Sequence, residues 1–163
     1  FAIFADADRR DPQQIVLRYQ KELRVYLPDL PAKAGQICKG SQLLGTYIFP
    51  DNRLQGVVEN LVIECGDVAY KELLDSARSY VESFQQCRSS LASWAPFDKE
   101  KAIIASVVSL LKPGKTNSVS LQDNEWISER TQGTSMLQSL IAFCKEILGL
   151  SATNLATRVD AGD

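Results

Sequence analysis

Residues 1–12 read FAIFADADRRDP: a short apolar run, then Asp6-Ala7-Asp8, two arginines, and Asp11-Pro12. An apolar run this short, bounded by polar residues, suits a strand buried on both faces better than a helix. A helix signal follows at once. Asp11 has the chemistry of an N-cap, Pro12 sits at the first helical position, and Gln14 stands three residues after the cap. Ile15, Val16, Tyr19, Leu23 and Tyr26 recur at helical spacing and define one apolar face. Leu27-Pro28 ends the pattern, because the residue before a proline is pushed out of the helical region. A strand running directly into a capped helix predicts an α/β fold.

Further along, residues 28–42 contain Pro28, Pro31 and Gly35 and no long period, which predicts a loop with a short strand around Gln36 to Cys38. LLGTYIF, residues 43–49, is rich in aromatic and β-branched types and reads as a second strand, stopped by Pro50-Asp51-Asn52. A helix is expected from near Gly56, with Val57, Val58, Leu61, Val62 and Cys65 inward and Glu59 near its first turn. Beyond Gly66 three amphipathic patterns follow. The first runs through Val68, Ala69, Leu73, Ala77, Tyr80, Val81 and Phe84. The second runs from an Asp98 cap through Ala102, Ile103, Val107, Val108 and Leu111 to Pro113-Gly114. The third starts at Ser135, continues through Leu137, Leu140, Ile141, Cys144 and Leu148, and is stopped by Gly149. The expected architecture is α/β, a small, mainly parallel sheet flanked by helices, with a predominantly helical C-terminal half. One domain is expected over residues 1–150, and residues 151–163, polar and small without a periodic face, are expected to form a disordered tail.

A chain of 163 residues can bury roughly 68–70% of its unfolded surface, so a self-sufficient core is expected. Hydrophobic content of 45% and charged content of 23% are ordinary for a globular protein, and no apolar run approaches the ~20 residues that span a bilayer. No membrane association is expected. The chain starts with Phe inside an apolar stretch, which predicts a natural beginning further upstream. Four cysteines without a CxxC pair, and no histidine, disfavour structural zinc. Cys65 and Cys144 fall in apolar helical patterns and read as reduced core thiols, which suits a cytoplasmic location. Residues 1–53 hold eight Lys/Arg against six Asp/Glu, and the remainder ten against fourteen. That asymmetry is too small to announce a nucleic-acid partner by itself.

In parallel sheets, functional groups collect beyond the carboxyl ends of strands. Asp6, Asp8 and Asp51 all follow strands at that end, and neighbouring strands would bring them together. Two unit charges ~4 Å apart repel by about 4 kcal/mol at an effective dielectric of 20, so such a cluster raises a carboxyl pKa or recruits a cation. Oxygen ligands without His or Cys favour Mg²⁺, Mn²⁺ or Ca²⁺. If the first strand continues far enough, the spacing of two keeps Asp6 and Asp8 on one side. Arg9, Arg10 and Arg53 are candidate phosphate contacts. Plainer roles compete: a polar loop in which Asp8 or Asp11 caps the next helix, a turn at Asp51-Asn52, and Glu59 complementing a helix N-terminus. Trp94 and Trp126 read as packing residues, and Lys112-Pro113-Gly114-Lys115 as an exposed turn.

FAIFADADRRD with its following helix, YIFPDNRLQGVVENLV (47–62) and KAIIASVVSLLKPGK (101–115), taken in order, resemble an uncharacterised prokaryotic family placed beside the Toprim domain, over roughly residues 1–148. The resemblance implies a compact α/β unit with a four-stranded, mainly parallel sheet and Mg²⁺-dependent chemistry on nucleic-acid phosphodiesters. Asp6 and Asp8 match the Toprim DxD. The glutamate after an earlier strand has no match, and the resemblance therefore implies a missing N-terminal βα unit or an incomplete constellation. Asp6, Asp8 and Glu59 are the candidate catalytic residues; Asp6, Asp8 and Asp51 are the candidate Mg²⁺ or Mn²⁺ ligands. Beside a nuclease-like enzyme stand DxD-dependent sugar-nucleotide transfer, disfavoured because the chain is short for such enzymes, and two stronger rivals. One is a non-catalytic binding or regulatory module with a protein partner in DNA processing or defence. The other is a haloacid-dehalogenase-like phosphatase, disfavoured because Arg9-Arg10 occupy the place of its small residue or Thr.

Overall fold

The computed structural model of the chain describes residues 1–40, 42–87 and 94–150, with backbone alone for 86 and 87. The expected tail at 151–163 lies outside the described residues. The chain forms two compact units, Phe1–Gln55 completed by Gln138–Asp163, and Gly56–Leu137. The first unit is therefore discontinuous in sequence.

In the first unit, β1 (Ala2–Asp6), β2 (Ile37–Lys39) and β3 (Leu43–Phe49) form a sheet of order β1-β3-β2, and α1 (Pro12–Leu23) connects β1 to the rest. β1 and β3 pair in parallel from Ala2↔Gly45 to Asp6↔Phe49, while β2 pairs antiparallel to β3 from Ile37↔Gly45 to Lys39↔Leu43. The small sheet is thus mixed. β3 is central and buried along its middle, but β1 is not buried on both faces: it lies at the sheet edge, where cover is incomplete, and Phe4 stays 46% exposed. A run of apolar residues does not distinguish an edge strand from a central one.

The two faces of β3 follow the alternation of a strand. Ile48 clusters with Ala7 and with Ile15 and Val16 of α1. On the other face, the Tyr47 ring lies 6.2 Å from that of Phe4, 5.4 Å from Phe49 and 5.3 Å from Phe143. Phe143 belongs to α6 (Ser135–Ile147) and is seated over Gly45, where a Cβ would come within 2.8 Å of the ring. Gly149, at φ +68°, closes α6 as expected, with Leu150 N–H donating to Lys145 O at 2.7 Å.

α1 starts as its cap residues dictate: Asp11 Oδ1 accepts from Gln13 N–H at 2.7 Å, with Pro12 in the first turn. The helix closes at Leu23, before the proline signal, so Tyr26 lies past its end and outside the apolar face. The segment after it is tied back to α1 by Gln13 Nε2 donating to Ala32 O and Gln20 Nε2 donating to Leu30 O at 2.7 Å. Leu30 is buried.

The second unit contains α2 (Val58–Ala69), α3 (Lys71–Cys87), α4 (Asp98–Leu111) and α5 (Asn117–Asp123). Val62, Leu74, Ala77, Val81, Ile103, Ile104, Val107, Val108 and Trp126 form its core. The amphipathic pattern expected from Val68 to Phe84 is two helices. Tyr70 breaks it at φ −139°, ψ 38°, which re-phases the faces: Val68, Tyr80 and Phe84 are exposed and Leu74 is buried. Gly66 lies inside α2, where a Cβ would come within 2.5 Å of Leu74 and 2.7 Å of Trp126. Val58, expected inward, is partly exposed at the first turn. Asp98 is the first residue of α4, not its cap; the cap is Phe97 at φ +66°, and Asp98 Oδ2 accepts from Ala95 N–H. α5, capped by Thr116, is short and polar and carries no apolar period that would announce it. Trp126 packs as expected, with Nε1 donating to Ser120 Oγ at 3.3 Å.

Arg78 forms a two-pronged pair with Asp67, at 2.7 and 2.8 Å, which fastens α3 to α2. Cys65 is fully buried, its Sγ 3.6 Å from Thr134 Oγ1, and burial pushes its thiol pKa up. Cys38, Cys65 and Cys144 are free thiols. About half of the chain is helical, and among the described residues no helix is long and apolar enough to cross a membrane.

Candidate functional site at the strand rim

Because β1 and β3 are adjacent and parallel, their carboxyl ends open on one rim of the sheet. Asp6 pairs with Phe49, and Ala7 N–H still donates to Phe49 O at 3.1 Å. The segment carrying Asp6 and Asp8 and the segment carrying Asp51 therefore leave the sheet side by side. The rule of alternation does not extend to Asp8, however. β1 ends at Asp6, Ala7 turns into the core, and Asp8 adopts φ +53°, a left-handed conformation that Asp tolerates better than most residues. Arg10 N–H donates to Ala7 O, closing the turn that leads to the Asp11 cap. Asp6, Asp8, Arg9 and Arg10 are all exposed.

The end of β3 is held by a different device. β2 pairs with β3 only as far as Gly45, which leaves the following backbone groups of β3 without a strand on that side. Gly35 N–H donates to Thr46 O at 2.8 Å, and Asn52 supplies both partners for Ile48: its Oδ1 accepts from Ile48 N–H at 2.8 Å and its own N–H donates to Ile48 O at 2.7 Å. Asn52 thus stands in for a missing strand. It does so at φ +70°, beyond the cis Phe49-Pro50 bond. Gly35, at φ +75°, leaves room for it, since a Cβ there would meet Asn52 Nδ2 at 2.9 Å.

Asp51 is a turn residue as well as a rim residue. Its Oδ1 accepts from Arg53 N–H at 3.0 Å and Leu54 N–H at 2.8 Å, so one carboxylate oxygen is committed to backbone and Oδ2 is the atom it can offer. Arg53 is exposed beside it. Asp51, Asn52 and Arg53 line a cleft of about 320 Å³ with Ser139, Phe143 and Glu146 of α6. Glu146 also reaches Lys39 at 3.6 Å. Ser139, Phe143 and Glu146 escape sequence reasoning because helical periodicity marks a core face, and nothing local indicates which strand end that face meets. Glu59 belongs to the second unit, in the first turn of α2, where an acid complements the helix dipole. Among the described residues, no group of three or more His, Cys, Asp or Glu side chains is placed to hold a metal ion.

A family model described as a protein of unknown function, DUF3226, matches residues 1–148. The chain belongs to the DUF3226 family. The matched span is the one over which the resemblance to an uncharacterised family runs, and it includes every rim residue and Glu59. No curated protein and no solved structure matches this DUF3226 chain.

Proposed function

We propose that the rim formed by Asp6, Asp8 and Asp51 is a Toprim-like, Mg²⁺- or Mn²⁺-dependent site acting on nucleic-acid phosphodiesters. The observation that supports it is the parallel pairing of β1 with β3, which sets the DxD segment and the Asp51 turn at one sheet edge. The donors are carboxylate oxygens, the type these cations take, and Mg²⁺ commonly uses one or two carboxylates and fills its remaining positions with water and phosphate. Asp6 and Asp8 would be those carboxylates, with Asp51 Oδ2 as a further acceptor. A bound divalent ion supplies Lewis-acid stabilisation of a phosphoryl oxygen and lowers the pKa of water. The chain supplies the positioning. Arg9, Arg10 and Arg53, all exposed, would hold the phosphate oxygens by charge-assisted hydrogen bonds, and the Asn52 brace keeps the Asp51-Arg53 turn in place.

A second reading is a non-catalytic binding or regulatory module of a DNA-processing or defence protein. The backbone at Asp8 favours it: at φ +53° the residue leaves the strand alternation that would set it on the same side as Asp6. Titration calorimetry with MgCl₂ and MnCl₂, on wild type and on Asp6→Asn/Asp8→Asn, tests the site. Asn keeps the side-chain shape and accepts the left-handed backbone at position 8, so the variant reads charge rather than strain. The expected result is at least a tenfold weaker cation affinity in the double variant; equal affinity removes the metal site. Cation binding without cleavage of labelled single- or double-stranded oligonucleotides selects the binding module.

A further inference from the structure

A second surface of the first unit has chemistry that the rim does not use. The chain between Arg9 and Tyr26 carries five Lys/Arg against two Asp/Glu, in a protein whose net charge is −2. At the carboxyl end of α1, Leu17, Gln20, Lys21, Arg24, Leu27 and Pro28 line a groove of about 450 Å³. Lys21 and Arg24 are exposed, and neither forms an ion pair among the described residues. Tyr26, which in sequence stands between the lining residues Arg24 and Leu27, is 80% exposed, an aromatic ring left in water although Leu30, four residues on, is buried. The groove is built in advance of any ligand: the side chains of Gln13 and Gln20 clamp the Leu30–Ala32 backbone against α1, and Leu27 N–H donates to Leu23 O at 2.8 Å. The Asp8-Arg9-Arg10 segment precedes the first turn of α1, and at about 1.5 Å per residue the helix places Lys21 and Arg24 about 14 and 18 Å beyond Pro12.

We propose that this groove is a single-stranded nucleic-acid contact, in which Lys21 and Arg24 hold backbone phosphates and Tyr26 stacks a base. The proposal rests on the phosphodiester reading of the rim and extends it, giving the substrate a second point of attachment at the far end of α1. Cations without an ion-pair partner, followed within a few residues by an exposed aromatic ring, supply the two contact types by which single strands are bound without sequence preference. Charge complementarity decides the occupant. The lining contributes two cations and no acid, which suits phosphates better than a purely apolar peptide, and the ring has a free face for a base.

Fluorescence polarisation of a labelled oligothymidylate of about 12 nucleotides, within the usual site sizes, tests the groove. The full chain is used in EDTA, so that the cation site does not contribute. Lys21→Glu/Arg24→Glu should weaken binding at least tenfold and reduce the slope of log affinity against log salt by about 1.4, from two lost phosphate contacts at ~0.7 each. Tyr26→Ala should weaken it roughly five- to a hundredfold, Tyr26→Phe should stay within about twofold, and Lys115→Glu, a charge reversal in the second unit, should leave affinity unchanged. Circular dichroism confirms that each variant is folded. Unchanged oligonucleotide affinity in the charge-reversal protein overturns the proposal. So does binding of anionic phospholipid vesicles or of poly-glutamate that is lost in the groove variants while oligonucleotide binding survives. The two sites fail separately: EDTA binding that depends on Lys21, Arg24 and Tyr26 stands even if Asp6→Asn/Asp8→Asn binds Mg²⁺ normally, and the converse result removes the groove alone.

Discussion

Replacing Asn52 separates two things the residue does at the rim. Its Oδ1 satisfies the N–H of Ile48, a residue with no exposed surface, and its backbone occupies φ +70°. Asn52→Ala removes the acceptor, stranding a buried donor at about 1–3 kcal/mol, and places a Cβ residue in the left-handed region without local side-chain compensation, at about 1–2 kcal/mol. The expected loss is about 2–5 kcal/mol, or a fall in Tm of about 2–4 °C for each kcal/mol in a chain of this length. Asn52→Gly keeps the left-handed backbone without strain and loses only the acceptor, apart from about 0.4–1 kcal/mol of added unfolded-state entropy. Asn52→Asp keeps both the acceptor and the tolerance of positive φ. Stability should therefore fall in the order Asp, Gly, Ala, measured by urea unfolding followed by circular dichroism. Amide exchange at Ile48 should accelerate in the Gly and Ala variants but not in the Asp variant. Equal stability of the Ala variant and wild type, with Ile48 still protected, would falsify the idea that this side chain replaces a strand.

Three further outcomes follow from packing and charge. Gly66→Ala should destabilise by up to about 2 kcal/mol in thermal unfolding, because about 1–3 kcal/mol of overpacking against Leu74 and Trp126 outweighs the ~1 kcal/mol gained in helix propensity. Ala105→Gly, at an exposed position of α4, measures that propensity alone, and a stabilised Gly66→Ala protein would refute the close contact. Cys65, buried and with its thiol pKa raised chiefly by desolvation, should resist iodoacetamide at pH 8 until the protein is unfolded, as read by peptide mass spectrometry; labelling in the folded state at the rate of a small-molecule thiol contradicts its burial. Asp75 and Glu82 are held below the usual carboxylate range by hydrogen bonds from Lys71 and Lys99 respectively. A depressed folded-state pKa contributes stability above the unfolded value and loses it as pH falls through the folded value. Asp75→Asn and Glu82→Gln should accordingly be less stable than wild type near neutral pH and converge with it in acid; a gap that persists in acid assigns the loss to something other than ionisation.

Much of the scaffold was legible because its signals are local. LLGTYIF coincides with β3, Asp11-Pro12 starts α1, and Gly149 closes α6. The failures are equally specific. The helix break at Tyr70 has no glycine or proline to announce it, and the seat of Leu74 and Trp126 against Gly66 is a tertiary contact with no sequence period. The rim itself could be anticipated, since strand ends collect functional groups whenever neighbouring strands run parallel. What could not be read was the backbone at Asp8, which leaves the strand before alternation applies, or the brace at Asn52, whose need arises only because β2 stops at its pairing with Gly45. The groove carrying Lys21 and Arg24 was hidden for a related reason: Tyr26 continues the helical period in sequence, yet α1 closes three residues before it.

The seat of Phe143 over Gly45 bears on biosynthesis. The aromatic lid of the first unit emerges from the ribosome only after the intervening segment Gly56–Leu137, ~80 residues, has been made. At about 5–20 residues per second, that leaves the nascent Phe4 and Tyr47 face uncovered for on the order of 4–16 s, while the helical insert can already be complete. Release of a product truncated before α6 would leave the same face bare, an adhesive surface suited to chaperone capture or degradation.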